Sequence, residues 1–133
     1  MAQIKRFGLG LQALIVLASS AELCTSADIA AHIRCEPTAL RKVLAQLAEA
    51  GIIQVKQGRT GGYQLTRNTE QITLSEIFHT LRDEDPEWSR MLSTTGSHLF
   101  GKRMNESFRK IMNDINSQVD HVLGTYTIAD LLD

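Results

Sequence analysis

Residues 36–67 read E-P-T-A-L-R-K-V-L-A-Q-L-A-E-A-G-I-I-Q-V-K-Q-G-R-T-G-G-Y-Q-L-T-R, and a change of period inside this stretch decides the fold. From Pro37 to about Ala50 the apolar residues Leu40, Val43, Leu44 and Leu47 recur at spacings of three and four, one face of a helix. Pro37 suits the first helical position, where its missing N–H would have no partner anyway. Gly51 is a natural stop. The period then drops to two. Ile53, Val55 and Gln57 alternate with Gln54 and Lys56, Gly58-Arg59-Thr60-Gly61-Gly62 supplies turn residues, and Tyr63, Leu65 and Arg67 alternate on the return. That is a β-hairpin with a glycine-rich tip.

Two helices precede it. Phe7, Leu11, Leu14, Ile15 and Ala18 form one apolar face of a helix over Arg6–Ala21, weakened at its end by Ser19 and Ser20. Thr25 and Ser26 offer N-caps, and Asp28 sits in the first turn of a short helix Ala27–Ile33 that buries Ile29, Ala30 and Ile33. Arg34 and Cys35 fall in the turn between the second and third helices. Three helices and a hairpin within about 67 residues is the order of a winged helix-turn-helix.

Downstream, Thr73-Leu74-Ser75-Glu76 matches a capping box opening a helix to Leu81, with Leu74, Ile77, Phe78 and Leu81 inward. Asp83-Glu84-Asp85-Pro86-Glu87 reads as a solvated linker, and Trp88 to Gly96 as irregular or a short helical turn. A long helix from about His98 to Leu123 carries Phe100, Met104, Phe108, Ile111, Ile115, Val119 and Val122 at steps of three and four. That stripe outreaches the face one small winged domain offers, so a partner helix is expected. Thr127 caps a short last helix holding Ile128, Leu131 and Leu132. The expected fold is mainly α with a small β-hairpin wing. Its parts are a DNA-binding domain over 1–82, an acidic linker over 83–97, and a dimerisation helix with a short C-terminal helix over 98–133.

The 133 residues carry a net charge of −1, but the charge is divided. Residues 1–67 hold eight basic and four acidic side chains, a balance of +4. The remainder holds six basic and eleven acidic, a balance of −5. A basic front on an acidic back suggests a polyanion-binding half joined to a half with another task. At 43% hydrophobic and 22% charged, the composition argues against full disorder. The longest apolar run, Ala13 to Ala18, is too short to cross a membrane. Lys5 and Arg6 before apolar residues superficially suggest a signal peptide, but Gln12 interrupts a helical pattern, so the expected location is cytoplasmic.

A major groove about 12 Å wide admits one helix, entered N-terminus first. The side of the third helix away from its apolar stripe carries Thr38, Ala39, Arg41, Lys42 and Gln46. The hairpin adds Lys56, Arg59 and Thr60 among glycines that let backbone approach phosphate. Lys5, Arg6, Thr25 and Ser26, at the starts of the first two helices, are candidate phosphate contacts. The alternative for Arg41 and Lys42 is a solvated helix surface, and for the wing a flexible hairpin tip. The glycine-rich loop lacks both nucleotide-binding patterns and precedes a strand rather than a helix.

Ser26-Ala27-Asp28-Ile29-Ala30, Leu40-Arg41-Lys42-Val43-Leu44, Ala50-Gly51-Ile52-Ile53, Gly61-Gly62-Tyr63-Gln64-Leu65 and Ile72-Thr73-Leu74-Ser75-Glu76-Ile77 together resemble the Rrf-two family of bacterial transcription regulators. The closing Thr127-Ile128-Ala129-Asp130-Leu131-Leu132 is similar to the family's terminal segment. The resemblance spans nearly the whole chain. It implies a homodimer joined through the long helix, with Met104, Phe108, Ile111, Ile115, Val119 and Val122 at the seam, whose two winged domains read a roughly palindromic operator, usually to repress. Iron–sulfur members carry three cysteines between the capping-box helix and the long helix. Residues 83–102 hold none here, so no cofactor is expected and the chain is most similar to the cluster-free branch. Ala39 and Arg41 stand where many members have an aromatic residue and an acid, and Gln57 stands where the wing often has arginine.

Cys24 and Cys35 flank the second helix without C-x-x-C spacing. They read as reduced packing residues, with redox sensing as the alternative. His32, His79, His98 and His121 show no metal-binding spacing, and no catalytic constellation is visible, so an enzyme is not expected. Phe78, Trp88 and Phe100 read as core, with an unidentified small-molecule effector between the winged domain and the long helix as the alternative. The competing function is a winged-helix protein-interaction module that does not bind DNA. The basic pair on the third helix and the basic wing count against it.

Overall fold

The computed structural model describes residues 2–82 and 87–132. Three helices, α1 (Ala2–Ala18), α2 (Ser26–Ile33) and α3 (Pro37–Glu49), lead into strands β1 (Ile53–Lys56) and β2 (Gly62–Leu65). A 3-10 turn (Thr69–Gln71), helix α4 (Leu74–Thr80), a 3-10 helix (Glu87–Thr94), the 26-residue α5 (Leu99–Gly124) and a last 3-10 turn (Ile128–Leu131) follow. The chain is thus mainly α with one two-stranded antiparallel hairpin. Residues 83–86 of the expected linker lie outside the described residues.

Local chemistry sets the boundaries. α1 begins four residues before the expected Arg6, since nothing in Ala2–Lys5 breaks a helix. It stops at Ala18 rather than Ala21 because the Ser20 hydroxyl bonds both the carbonyl and the N–H of Glu22, competing with the helical pattern. α2 opens on a complete capping box: Asp28 N–H donates to Thr25 Oγ1 (3.1 Å) and Thr25 N–H to Asp28 Oδ2 (3.2 Å). It closes on Arg34 in the left-handed conformation (φ 63°, ψ 54°). Arg34 is the one non-glycine residue with positive φ among the described residues, in a geometry that costs an L-residue about 1–2 kcal/mol.

α3 is capped by Glu36, whose carboxylate accepts from Thr38 N–H (3.0 Å) and Ala39 N–H (2.8 Å). Its far end is a Schellman turn. Gly51, at φ +79°, donates to Ala48 O, and Ile52 donates to Leu47 O. The hairpin pairs Ile53 with Leu65 and Lys56 with Gly62. Gly62 (φ +150°) lies so close to Cys24 that a Cβ would sit 2.8 Å from the Cys24 carbonyl oxygen. Backbone bonds between Cys24 and Tyr63 (3.1 and 2.7 Å) tie the loop before α2 to the wing.

The core joins all of these pieces. Ala13, Leu14, Ile29, Leu40, Val43, Leu44, Leu47, Ile52, Ile72, Ile77, Leu81 and Ile128 are completely shielded from solvent. At α4 only half of the expected capping box forms. Glu76 N–H donates to Thr73 Oγ1 (3.1 Å), while the Glu76 carboxylate turns to the Arg67 guanidinium (2.5 Å). The C-terminal end of α5 returns to this domain. Asp120 accepts from the Ser75 hydroxyl and bonds the His79 ring (2.7 Å), and Leu123 packs on the core. Beyond α5, Leu74 N–H donates to Tyr126 O and Ile128 N–H to Ile72 O, so the segment expected as a separate short helix is a 3-10 turn sealing the winged core.

Replacing Ile128 by alanine should cost about 2–5 kcal/mol in urea unfolding. A loss under 1 kcal/mol would show that the terminal segment is not part of the folding unit. The N–H donors of Ala39 and Thr38, helped by the Arg41 charge, hold the Glu36 carboxyl below its ordinary value of 4.5. The stability this lends is present above that value and is lost as pH falls through the lowered one. Glu36→Gln should therefore flatten the acid side of the melting-temperature profile below about pH 4.5; curves parallel to wild type would contradict the cap's role.

Candidate nucleic-acid interface

Burial divides α3 into two sides. Leu40, Val43, Leu44 and Leu47 are sealed in the core, while Thr38, Arg41 and Lys42 are exposed and Ala39 and Gln46 half-buried. Arg41 lies over the first turn, its Nη2 donating to Thr38 Oγ1 at 3.4 Å. Thirteen residues at 1.5 Å each make a rod about 20 Å long, fit for one pass of a major groove. In the wing, every residue from Gln54 to Thr60 is exposed. Lys56 is on the last rung, and Arg59 and Thr60 occupy a tip closed by a Gly61 N–H to Gly58 O bond of 3.1 Å.

At the start of α2, Thr25 is exposed and Ser26 half-buried, and the Thr25 oxygen is already engaged in the capping box. Lys5 is exposed and Arg6 half-buried on the first turns of α1. The next residue, Phe7, meets Phe78 of α4 edge-to-face (5.3 Å between centroids), which places this end of α1 against α4. The structure thus gathers Ser26 and Arg41 on one cleft, whereas Lys5 and Arg6 stand at the α4 side.

That cleft runs between α2 and α3, has a volume of about 590 Å³, and is lined by Ser26, Ala27, Ala31, Arg34, Cys35 and Arg41 among others. Arg34 is the residue that reading the sequence for helix faces misses. The available signal was a long basic side chain in a turn between two helices, a place that favours glycine or asparagine. Cys35 is half-buried on this cleft, and Cys24 is buried with its thiol 3.8 Å from Glu22 O; both are free thiols.

α5 packs on α4 at one end and on the Glu87–Thr94 helix at the other. Along its length Phe100, Ile111, Val119 and Val122 are exposed, and Met104, Phe108 and Ile115 half-buried. The expectation that Phe78, Trp88 and Phe100 are core is corrected: Phe78 is half-buried against Phe7, but Trp88 and Phe100 are 51% and 64% exposed. Phe100 lies in the first turn of α5, and Trp88 in the 3-10 helix that packs on α5. Asp120 is held below the usual carboxylate range by hydrogen bonds from Ser75 and His79, a polar clasp between α4 and α5.

Among the described residues no helix is long and apolar enough to cross a membrane. The Rrf2 family profile, described as an iron-dependent transcriptional regulator, matches residues 4–133. Protein rrf2 of Nitratidesulfovibrio vulgaris is 26% identical over 136 residues, covering 96% of this chain and 83% of that protein. A protein of Lactobacillus plantarum solved as a candidate transcriptional regulator superposes with a TM-score of 0.82 at 20% identity, over 95% of this chain and 86% of that one. Staphylococcus aureus CymR gives 0.69 at 21% identity, over 97% and 96%. An iron–sulfur cluster does not fit the residues present: residues 83–102 hold no cysteine, and among the described residues no three His, Cys, Asp or Glu side chains converge. The profile match over almost the entire chain makes this protein a member of the Rrf2 family, whose members are transcriptional regulators rather than enzymes.

Proposed function

We propose that the chain is a homodimeric, sequence-specific repressor in the cytoplasm whose two winged domains bind a palindromic operator. The observation that carries this reading is the division of α3, with four leucine and valine side chains sealed inward and Thr38, Arg41 and Lys42 left outward. Lys5, Arg6, Thr25, Ser26, Lys56, Arg59 and Thr60 are assigned to phosphate or minor-groove contacts and Ala39 to the groove-facing first turn of α3. The apolar stripe from Met104 to Val122 supports a second copy as the partner of α5, since the winged domain meets only its C-terminal end. A basic front with a balance of +4 over residues 1–67 has a modest field, and two linked half-sites raise its affinity.

Selection of bound duplexes from a random pool tests the reading directly. It should return inverted half-sites with centres about 34 Å, or a multiple of that, apart. Failure to enrich any duplex would favour the protein-interaction alternative. Arg41→Ala should relax base preference by about 1–3 kcal/mol at one position of each half-site, while Lys56→Ala should weaken all duplexes alike. Equal losses on selected and scrambled DNA for Arg41→Ala would remove it from base reading. Ile115→Asp should give monomers by light scattering and abolish tight operator binding. A native dimer mass in that variant would place the interface elsewhere.

A further inference from the structure

We propose that the cleft between α2 and α3, lined by Ser26, Arg34 and Arg41, binds a phosphodiester, with Arg34, held in its left-handed turn, as the phosphate contact. The inference rests on the DNA-binding reading above and adds a site to it. Its first support is the backbone. Arg34 ends α2 in the left-handed region, which glycine or asparagine adopts at little cost and arginine does not. Its backbone N–H donates to Ala30 O (2.7 Å), a bond any non-proline residue can make. Its side chain is exposed and makes no hydrogen bond or ion pair among the described residues. No described residue therefore pairs with the guanidinium, and a strained residue whose side chain has no such partner points to a ligand.

The second support is the space beside it. Arg34 and Arg41 line one open cleft of about 590 Å³ together with Ser26. Ala27 and Ala31 form part of its wall, so no long side chain fills it. The carboxylates at the starts of α2 and α3 are engaged in caps: Asp28 bonds Thr25 N–H, and Glu36, which also feels the Arg41 charge, bonds the N–H groups of Thr38 and Ala39. An arginine whose guanidinium has no partner among the described residues, beside room for a strand backbone, suits a phosphodiester, whose oxygens a planar N–H fork binds two at a time. The cleft abuts the outward face of α3, so a phosphate here flanks the groove that α3 reads and fixes the entry of that helix.

The test compares wild type, Arg34→Gly, Arg34→Asn and Arg34→Lys on a fluorescent mixed-sequence 30-base-pair duplex across a salt series. Arg34→Gly and Arg34→Asn should melt at or above the wild-type temperature because the strain is relieved. Both should bind the duplex about tenfold more weakly, with the slope of log affinity against log salt reduced by about one. Arg34→Lys should retain binding within about threefold. If wild type binds and both neutral variants bind equally well with the same slope, the cleft is not a phosphodiester site. If wild type binds no duplex, the DNA-binding reading falls and takes this site with it. If millimolar inorganic phosphate raises the melting temperature of wild type but not of Arg34→Gly, while duplex binding is the same for both, the cleft belongs to a free anion and the assignment is overturned.

Discussion

Burial of one face of α3 is the constraint on which the other features depend. Leu40, Val43, Leu44 and Leu47 are wholly withdrawn from water, each stabilised by roughly 1.5–3 kcal/mol relative to exposure. Rotating α3 by half a turn would expose all four and bury Arg41 and Lys42 without partners. The energy that folds the domain therefore also fixes which side chains of α3 face outward, so the fold and the candidate interface are set by one periodicity.

The wing depends on a second, covalently simple constraint. Gly62 brings β2 against Cys24 at a distance no side chain permits, and the paired bonds between Cys24 and Tyr63 then fasten the hairpin to the loop before α2. Wing and helix-turn-helix are thus held by the same few backbone atoms. A hairpin of two four-residue strands would be marginal alone; here it is an extension of the core through Ile53.

What could be read from the sequence was whatever repeats. The stripes of α3 and α5, the alternation around the glycine-rich tip and the Pro37 and Gly51 boundaries all depend on local spacing, and the structure reproduces them. Features set by a single distant partner could not be read in that way. Glu76 leaves its capping box for Arg67, nine residues earlier, and Asp120 reaches across to Ser75 and His79. The end of α1 moved because the Ser20 hydroxyl offered the backbone another partner. In the candidate site, Arg41, Lys56 and Arg59 were legible because charge on an exposed helix face or turn has a pattern. Arg34 was legible only as a basic residue in a turn, because its left-handed backbone follows no periodic pattern.

The way α5 is attached bears on how the proposed dimer works. Its C-terminal end is fastened to the winged domain by the Asp120 clasp, by Leu123 and by the segment that buries Ile128, while its apolar stripe runs on past that domain. A partner helix seated on the stripe would therefore meet a rod already fixed to the reading head. The angle between α4 and α5 then sets the separation of the two recognition helices, and spacing between half-sites becomes sensitive to small changes at one junction. The acidic balance of −5 belongs to the stretch that contains α5, so the basic front of each winged domain is the part left to meet phosphate. A net charge near zero is then compatible with DNA binding, because the opposite charges are carried by parts of the chain with different tasks.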